Sequence, residues 1–366
     1  MRFGLFFAHQ LPDTEPSVGF EWDMQVVRWA EEYGFSEAWF SEHFTVAYER
    51  WNSPELQIAA AARETETMTF GTAANLLPYH NPVSLAYRLM QLDHQTRGRL
   101  MVGFGAGSFE TDAQLFGTDL PEQNHEMLRE GQEIIRAIWA NEGDPHQISG
   151  KHFDVDIPAY DDMTKMGSHW RPYQQGGPRV AIAGFSPRSS TLRDAGQQGD
   201  IPLSISMTDE YLAGHWEVYA DGADQAGRVP DRRDWRVVRD VIVADTDEAA
   251  MELAMSEPLR RQMEEWILPR NVKIFERVLG GEIPAEFLTH EVIAGSSWVI
   301  GSPETVVEKL AGEHEKCGGY GNLLLYSFDF HDQPEAFRRH LELMGTRVLP
   351  ALSERVDPML APPAGA

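Results

Sequence analysis

The sequence predicts an α/β chain folded as a single (β/α)8 TIM barrel with insertions. Short, wholly apolar runs alternate with amphipathic stretches of helical length, and eight such units follow one another along the 366 residues. Barrels of this kind routinely use a chain of that length as one domain, with the surplus in loops.

Arg2 to Ala8 reads as the first strand, and Trp22 to Gly34 as its helix, with Met24, Val27, Trp29 and Ala30 on the apolar face and Gly34 as the stop. Ala38 to Ser41 is the second strand and Pro54 to Arg63 its helix. Thr67 to Leu77 is the third, closed by Pro78. After His80-Asn81-Pro82 a helix carrying Leu85, Met90 and Leu92 runs towards Gly98. Leu100 to Phe104 is the fourth strand, breaking into Gly105-Ala106-Gly107-Ser108, and a long helix follows from Glu122 to Trp139. Arg179 to Ala183 is the fifth, with a helix beginning near Pro187. Ile201 to Ser206 is the sixth, with its helix over Asp209 to Gly227. Trp235 to Ala244 is the seventh, and Thr246-Asp247-Glu248 opens the next helix with a hydroxyl cap and an acidic first turn. The helix after Ser302-Pro303-Glu304 and the run Leu323 to Tyr326 complete the eighth unit, and Pro334 to Met344 is a closing helix. The barrel is expected to span residues 1–352, with a tail at 353–366. Two stretches without sustained periodicity, at about 141–177 and 255–297, read as insertions. The second carries Trp266, Leu268, Phe275 and Phe287 and is a lid candidate, although the same aromatics also suit a helix fixed against the barrel.

Acidic residues outnumber basic ones by 57 to 31, for a formal charge of −26, and no dense Lys/Arg run exists. Nucleic acid and anionic membranes are therefore poor partners. An anionic cofactor must be held by backbone N–H groups, hydroxyls and selected arginines. Cys317 is the single cysteine, so neither an intrachain disulfide nor a cysteine-based metal site forms. No His-x-x-x-His or carboxylate spacing argues for a metal. The segment Met1–Leu5 is strand-like, lacking a signal-peptide pattern, and no apolar run nears a membrane span. A cytoplasmic protein is expected.

In such a barrel the chemistry sits just after each strand. These positions read Ala8-His9-Gln10, Ser41-Glu42-His43, Ala73-Ala74-Asn75, Gly105-Ala106-Gly107-Ser108, Gly184-Phe185-Ser186 and Ser204-Ile205-Ser206. Small residues, hydroxyls, amides and two histidines suit a flat, polar-edged ligand lying against backbone. Glu42 and His43 end a buried strand, so charge there is either paired or functional. His43 titrates in the right range for proton traffic, although a lone strand-end histidine is more often structural. The turn Gly184-Phe185-Ser186-Pro187-Arg188-Ser189-Ser190 joins a strand to a helix, with Pro187 suited to the first helical position. Its N–H groups, hydroxyls and Arg188 are an anion-site candidate; a plain Ser cap explains the same residues equally well.

Several stretches, in order, are similar to the bacterial luciferase-like flavin monooxygenase family: Met1-Arg2-Phe3-Gly4, Trp39 to Phe44, Gly71-Thr72-Ala73-Ala74, His80-Asn81-Pro82, Leu92-Asp93-His94 with Gly98-Arg99, Phe116-Gly117-Thr118-Asp119, the Gly184 to Ser190 turn, and Val299 to Pro303. Within it, Ser53 to Leu56 with Ile58 to Ala61, His215-Trp216-Glu217-Val218-Tyr219, Pro230-Asp231-Arg232 and Ala244 to Asp247 resemble the diketocamphane (type II Baeyer–Villiger) and limonene-monooxygenase-like members. The resemblance implies a barrel that takes FMNH2 from a separate NAD(P)H:flavin reductase. With O2 it forms a flavin C4a-peroxide that oxygenates a cyclic ketone, terpenoid or aldehyde. It also implies a homodimer, and a cis peptide between Ala73 and Ala74 beneath the flavin ring. By the same resemblance Glu42 and His43 face the reactive side as catalytic residues. Ala73, Ala74 and Asn75 flank the ring, and Ala106, Ser108, Gly184, Phe185, Ser186, Arg188 and Ser189 complete the cofactor site. The chain departs from luciferase in having Ala106 for an arginine, Phe185 for a glutamate, and one histidine, His43, before Phe44; Arg188 is the expected replacement cation.

Three other readings compete. An F420- or flavin-dependent dehydrogenase on the same barrel would move a hydride without oxygen, but a polyglutamate-tailed cofactor favours a less acidic protein. A barrel glycosidase needs paired strand-end acids, which are scarce here despite Glu42 and Asp93. A non-catalytic flavin-binding relative would have no use for His43.

Overall fold

The computed structural model describes residues 1–8, 11, 13–205, 208–278, 284 and 287–360. Its strands are β1 (Arg2–Phe7), β2 (Glu37–Phe40), β3 (Thr69–Leu76), β4 (Leu100–Gly105), β5 (His146–Ser149), β6 (Asp154–Ile157), β7 (Arg179–Gly184), β8 (Ile201–Ile205), β9 (Arg236–Arg239), β10 (Val241–Val243), β11 (Val299–Gly301) and β12 (Asn322–Tyr326). Eight of them close a parallel barrel in the order β1-β12-β9-β8-β7-β4-β3-β2, as the alternating pattern predicts. Contacts group the chain into two compact units. One comprises residues 1–39, 46–50 and 182–366, the other residues 40–45 and 51–181.

In the larger unit β12 pairs with both β1 and β9, and β9 with β8, burying Phe3, Leu5, Leu323, Leu325, Val237 and Val238 completely or nearly so. Charge inside this unit is paired, as a low dielectric requires. Arg236 Nη2 lies 2.7 Å from Glu37 Oε1, and Trp39 Nε1 donates to Glu37 Oε2 at 2.9 Å. The smaller unit packs Phe70, Phe104 and Trp139, with Trp139 Nε1 donating to the Ala86 carbonyl.

Four expectations are corrected. The first helix begins at Pro16, one and a half turns earlier than Trp22. The apolar run from Trp235 to Ala244 is not one strand. It divides at Asp240, and β10 leaves the barrel to pair with β11 in a separate two-stranded sheet, where the Asp240 carbonyl accepts from Val299 N. The helix after β7 starts at Ser190 with Ser189 as N-cap, so Pro187 lies in the preceding turn. A short helix, Glu110–Phe116, follows the Gly105–Ser108 loop where none was expected.

The insertion at 141–177 holds the antiparallel β5–β6 hairpin and is tied down by Gln174, whose N and Nε2 donate to the buried Asp93 carboxylate at 2.8 Å. The described part of 255–297 is largely helical: Glu257–Arg261, a π-turn over Gln262–Ile267, Leu268–Val278 with a kink at Asn271, and His290–Ser297. Trp266, Leu268 and Phe275 are half-buried and Phe287 is exposed. The closing helix Pro334–Leu343 continues through a π-turn into Leu349–Val356. No described helix is long and apolar enough to cross a membrane, and no described group of His, Cys, Asp and Glu has the arrangement of a metal site.

Candidate active site

In the smaller unit the site is built on an irregularity of β3. Its register on β4 passes from Thr72 opposite Val102 to Asn75 opposite Phe104, so three steps on one strand answer two on the other. The peptide between Ala73 and Ala74 is cis, and both alanines are half-exposed. On the near side Thr72 Oγ1 donates to Gly103 O (3.1 Å) and accepts from Gly103 N (3.0 Å). A Cβ on Gly103 would stand 2.2 Å from the Thr72 carbonyl, so only glycine admits this approach. On the far side Leu76 N donates to Glu42 Oε2 at 2.6 Å.

Glu42 is wholly buried, and His80 Nε2 lies 3.0 and 2.9 Å from its two oxygens. His80 Nδ1 in turn lies 3.3 Å from Arg88 Nη2. Burial pushes the Glu42 carboxyl above the usual range, and His80 opposes the shift. Both oxygens of Glu42 are thus engaged inside the fold, Oε2 by Leu76 N and His80 and Oε1 by His80. Next to the cis peptide, Asn75 is completely buried, and neither its Nδ2 nor its Oδ1 has a hydrogen-bond partner. An orphaned amide of this kind costs free energy unless something else completes it.

His43 follows Glu42 but belongs to a different cluster. Its Nδ1 lies 3.1 Å from Asp112 Oδ2, and the other carboxylate oxygen accepts from the amides of Phe44 and Thr45 at 3.3 and 2.8 Å. Burial raises the Asp112 carboxyl, yet the bonds from His43 and Thr45 outweigh it and hold the group below its ordinary value. The carboxylate holds the ring in place through Nδ1. The edge of Phe109 packs on the ring at 4.6 Å between centroids. In the following loop Ala106 is half-buried and Ser108 exposed, and the Ala106 carbonyl accepts from Asn124 Nδ2 at 2.9 Å.

In the larger unit the Gly184–Ser190 turn is a second cluster. Gly184 and Ser189 are buried, while Phe185, Ser186 and Arg188 are exposed. Ser189 Oγ is bonded to Thr191 Oγ1 at 2.7 Å and does not cap the helix, so its first-turn amides have no side-chain cap. Arg188 Nη1 lies 3.0 Å from Glu217 Oε2, not over the helix start as expected. Both partners are largely exposed, so the pair is weak and the guanidinium is easily redirected. His9, Gln10 and Ser206 lie outside the described residues.

The sequence from residue 1 to 319 matches the family model described as luciferase-like monooxygenase. The chain belongs to the luciferase-like monooxygenase family. It is a flavin-dependent monooxygenase. Among its relatives, 2,5-diketocamphane 1,2-monooxygenase 1 of Pseudomonas putida is 31% identical over 360 residues, covering 96% of this chain and 99% of the relative. Limonene 1,2-monooxygenase of Rhodococcus erythropolis is 29% identical, covering 98% and 88%. The oxygenating constituent of 3,6-diketocamphane monooxygenase from Pseudomonas putida, a type II Baeyer–Villiger monooxygenase solved in complex with FMN, superposes with a TM-score of 0.89 at 30% identity, covering 96% and 98%. Asp112, His80, Thr72 and Asn124 are not among the site residues expected from the sequence of this monooxygenase, although His80 and Thr72 stand in matching stretches.

Proposed function

We propose that the chain is the oxygenase component of a two-component system, one barrel acting in the cytoplasm as a homodimer. It uses FMNH2 from a separate NAD(P)H:flavin reductase and O2 to oxygenate a small apolar substrate, a cyclic ketone first, with terpenoids and aldehydes as alternatives. The observation that carries the reading is Asn75: a fully buried amide with both ends unpartnered, beside two half-exposed alanines at a strand end, fits the polar edge of a flat heterocycle. The bound flavin supplies the oxygen chemistry.

The chain's own residues divide the remaining work. Ala73, Ala74 and Asn75 support the ring, and Ala106 with Ser108 borders it. Glu42 holds the strand that carries them. His43, oriented by Asp112, gives and takes the proton. Gly184, Phe185, Ser186, Arg188 and Ser189 bind the phosphate through first-turn amides, hydroxyls and a redirected guanidinium. The similarity to diketocamphane monooxygenases supports ketone oxygenation, and Trp266, Leu268, Phe275 and Phe287 in the 255–297 segment support an apolar substrate.

The test supplies the protein with FMN, a reductase and a panel of cyclic ketones, terpenes and long-chain aldehydes, in air and without oxygen. Product that contains one oxygen atom from O2 is expected. Turnover without oxygen would move the assignment to a hydride-transfer enzyme. In Asn75→Ala the apoprotein should be at least as stable as wild type, since a buried orphan is removed, while FMN binds about tenfold more weakly.

A further inference from the structure

The motif His215-Trp216-Glu217-Val218-Tyr219 has no part in the chemistry described so far. It lies on the helix Asp209–Gln225, and His215 is fully buried. The hydrogen bonds around this ring leave one arrangement of protons. Trp235 Nε1 can only donate, and it donates to Ser204 Oγ at 3.0 Å. Ser204 Oγ lies 2.9 Å from His215 Nδ1. His215 Nε2 lies 2.7 Å from the Ser186 carbonyl, a group that can only accept, so the ring proton is on Nε2 and, in the neutral ring, Nδ1 accepts from Ser204. Burial keeps the imidazole neutral, with a pKa below the ordinary value.

The rest of the turn is polarised in the same sense. The carbonyl of Pro187 lies against the same helix at Gly214, where a Cβ would come within 2.8 Å of it. The Ala183 carbonyl accepts from Thr191 Oγ1 and the Ser189 carbonyl from Leu192 N. The carbonyls of Ala183, Ser186, Pro187 and Ser189 are thus turned to the protein. Only a side chain that donates at the distance of Nε2 while accepting at Nδ1 satisfies Ser204 and Ser186 together.

We propose that His215 is the positioning residue of the Gly184–Ser190 turn, fixed by Trp235 and Ser204 and holding the Ser186 carbonyl inward so that the turn presents N–H groups to a phosphate. This rests on the assignment of the flavin phosphate to that turn. Riboflavin, which lacks the phosphate, separates a role in phosphate binding from a role in folding. The affinities of FMN and riboflavin are measured by fluorescence titration of the full chain, alongside thermal melting.

In His215→Asn the donor to Ser186 is lost; FMN should bind about tenfold more weakly and riboflavin as in wild type. His215→Gln, whose amide N–H reaches roughly to the place of Nε2, should restore the preference for FMN. Ser204→Ala, which frees the ring to change tautomer, should lose part of it and serves if His215→Asn does not fold. Equal weakening of FMN and riboflavin would reduce His215 to a folding role and overturn the proposal. Unchanged FMN binding in His215→Asn, with weakened binding in the double variant Ser186→Ala, Arg188→Ala, would overturn it while the phosphate assignment stands. If the double variant also binds normally, the phosphate assignment fails and this proposal with it.

Discussion

Asp112 buries a carboxylate beside His43 at a net gain only because every bond it accepts comes from that segment: the His43 ring, the amides of Phe44 and Thr45, and Thr45 Oγ1 at 2.5 Å. The same bonds fix the orientation of the His43 ring. Two substitutions separate orientation from proton transfer. His43→Asn should keep the fold and the FMN affinity while product falls a hundredfold or so and peroxide release rises. Asp112→Asn leaves the ring in place with a weaker, uncharged partner, and product per flavin oxidised should fall roughly tenfold. Equal coupling of flavin oxidation to product in wild type and Asp112→Asn would show that ring orientation does not matter to the reaction.

At the scale of elements, β3 and the segment after residue 255 are each held by one polar side chain. Glu42 accepts from the Leu76 amide just past the β3 bulge. Glu42→Gln turns an amide N–H towards a donor, so the apoprotein should lose about 1–3 kcal/mol in denaturant unfolding, with FMN affinity falling as the alanines shift. Asp329 has the corresponding place in the larger unit. Its carboxylate accepts from Leu11 N, Thr14 Oγ1, Arg50 Nη2 and His331 Nδ1, while its backbone exchanges two hydrogen bonds with Gln262 at 3.0 and 3.1 Å. The segment read as a lid candidate is thus anchored at its π-turn. Limited proteolysis should find 257–267 resistant with or without flavin and substrate, and Gln262→Ala should expose it; ligand-dependent cleavage within that stretch would show that the anchor does not hold.

Acid sensitivity belongs to the whole molecule, because buried neutral histidines hold its elements together. His340 is buried, and its Nδ1 accepts from Val243 N at 3.2 Å; an imidazolium there would set a donor against a donor. Burial lowers its pKa from 6.5 to about 4. The unfolded chain takes up this proton near pH 6.5 and the folded chain only near 4. The stabilisation is therefore complete above 6.5 and lost as pH falls between the two, by about 3 kcal/mol if the shift is fully realised. Burial lowers His215 and His314 in the same direction. Unfolding free energy measured from pH 7.5 to 4 should be flat above 6.5 and fall below it, and His340→Gln should remove about one proton from the slope near pH 5. An unchanged slope would mean that His340 is protonated in the folded chain.

The barrel of eight units was legible in the sequence, because burial on both faces of a parallel strand and on one face of a helix leaves a periodic local record. The cis peptide between Ala73 and Ala74 was expected from the family resemblance alone. The Gly184–Ser190 turn was legible in composition but not in geometry: Pro187 is outside the helix, and Arg188 turns to Glu217. The partners that give these residues their roles left no local trace. Asp112 lies 69 positions from His43, His80 lies 38 from Glu42, and His215 lies 29 from Ser186. Periodicity records which face is buried, not which distant donor meets which acceptor. For that reason Glu42 and His43, adjacent in the chain, have different partners in the structure: one bonds Leu76 and His80, the other Asp112. The separation of β10 from β9 has the same origin, since an apolar run reads alike whichever sheet it joins, and only the availability of β11 as a partner decided it.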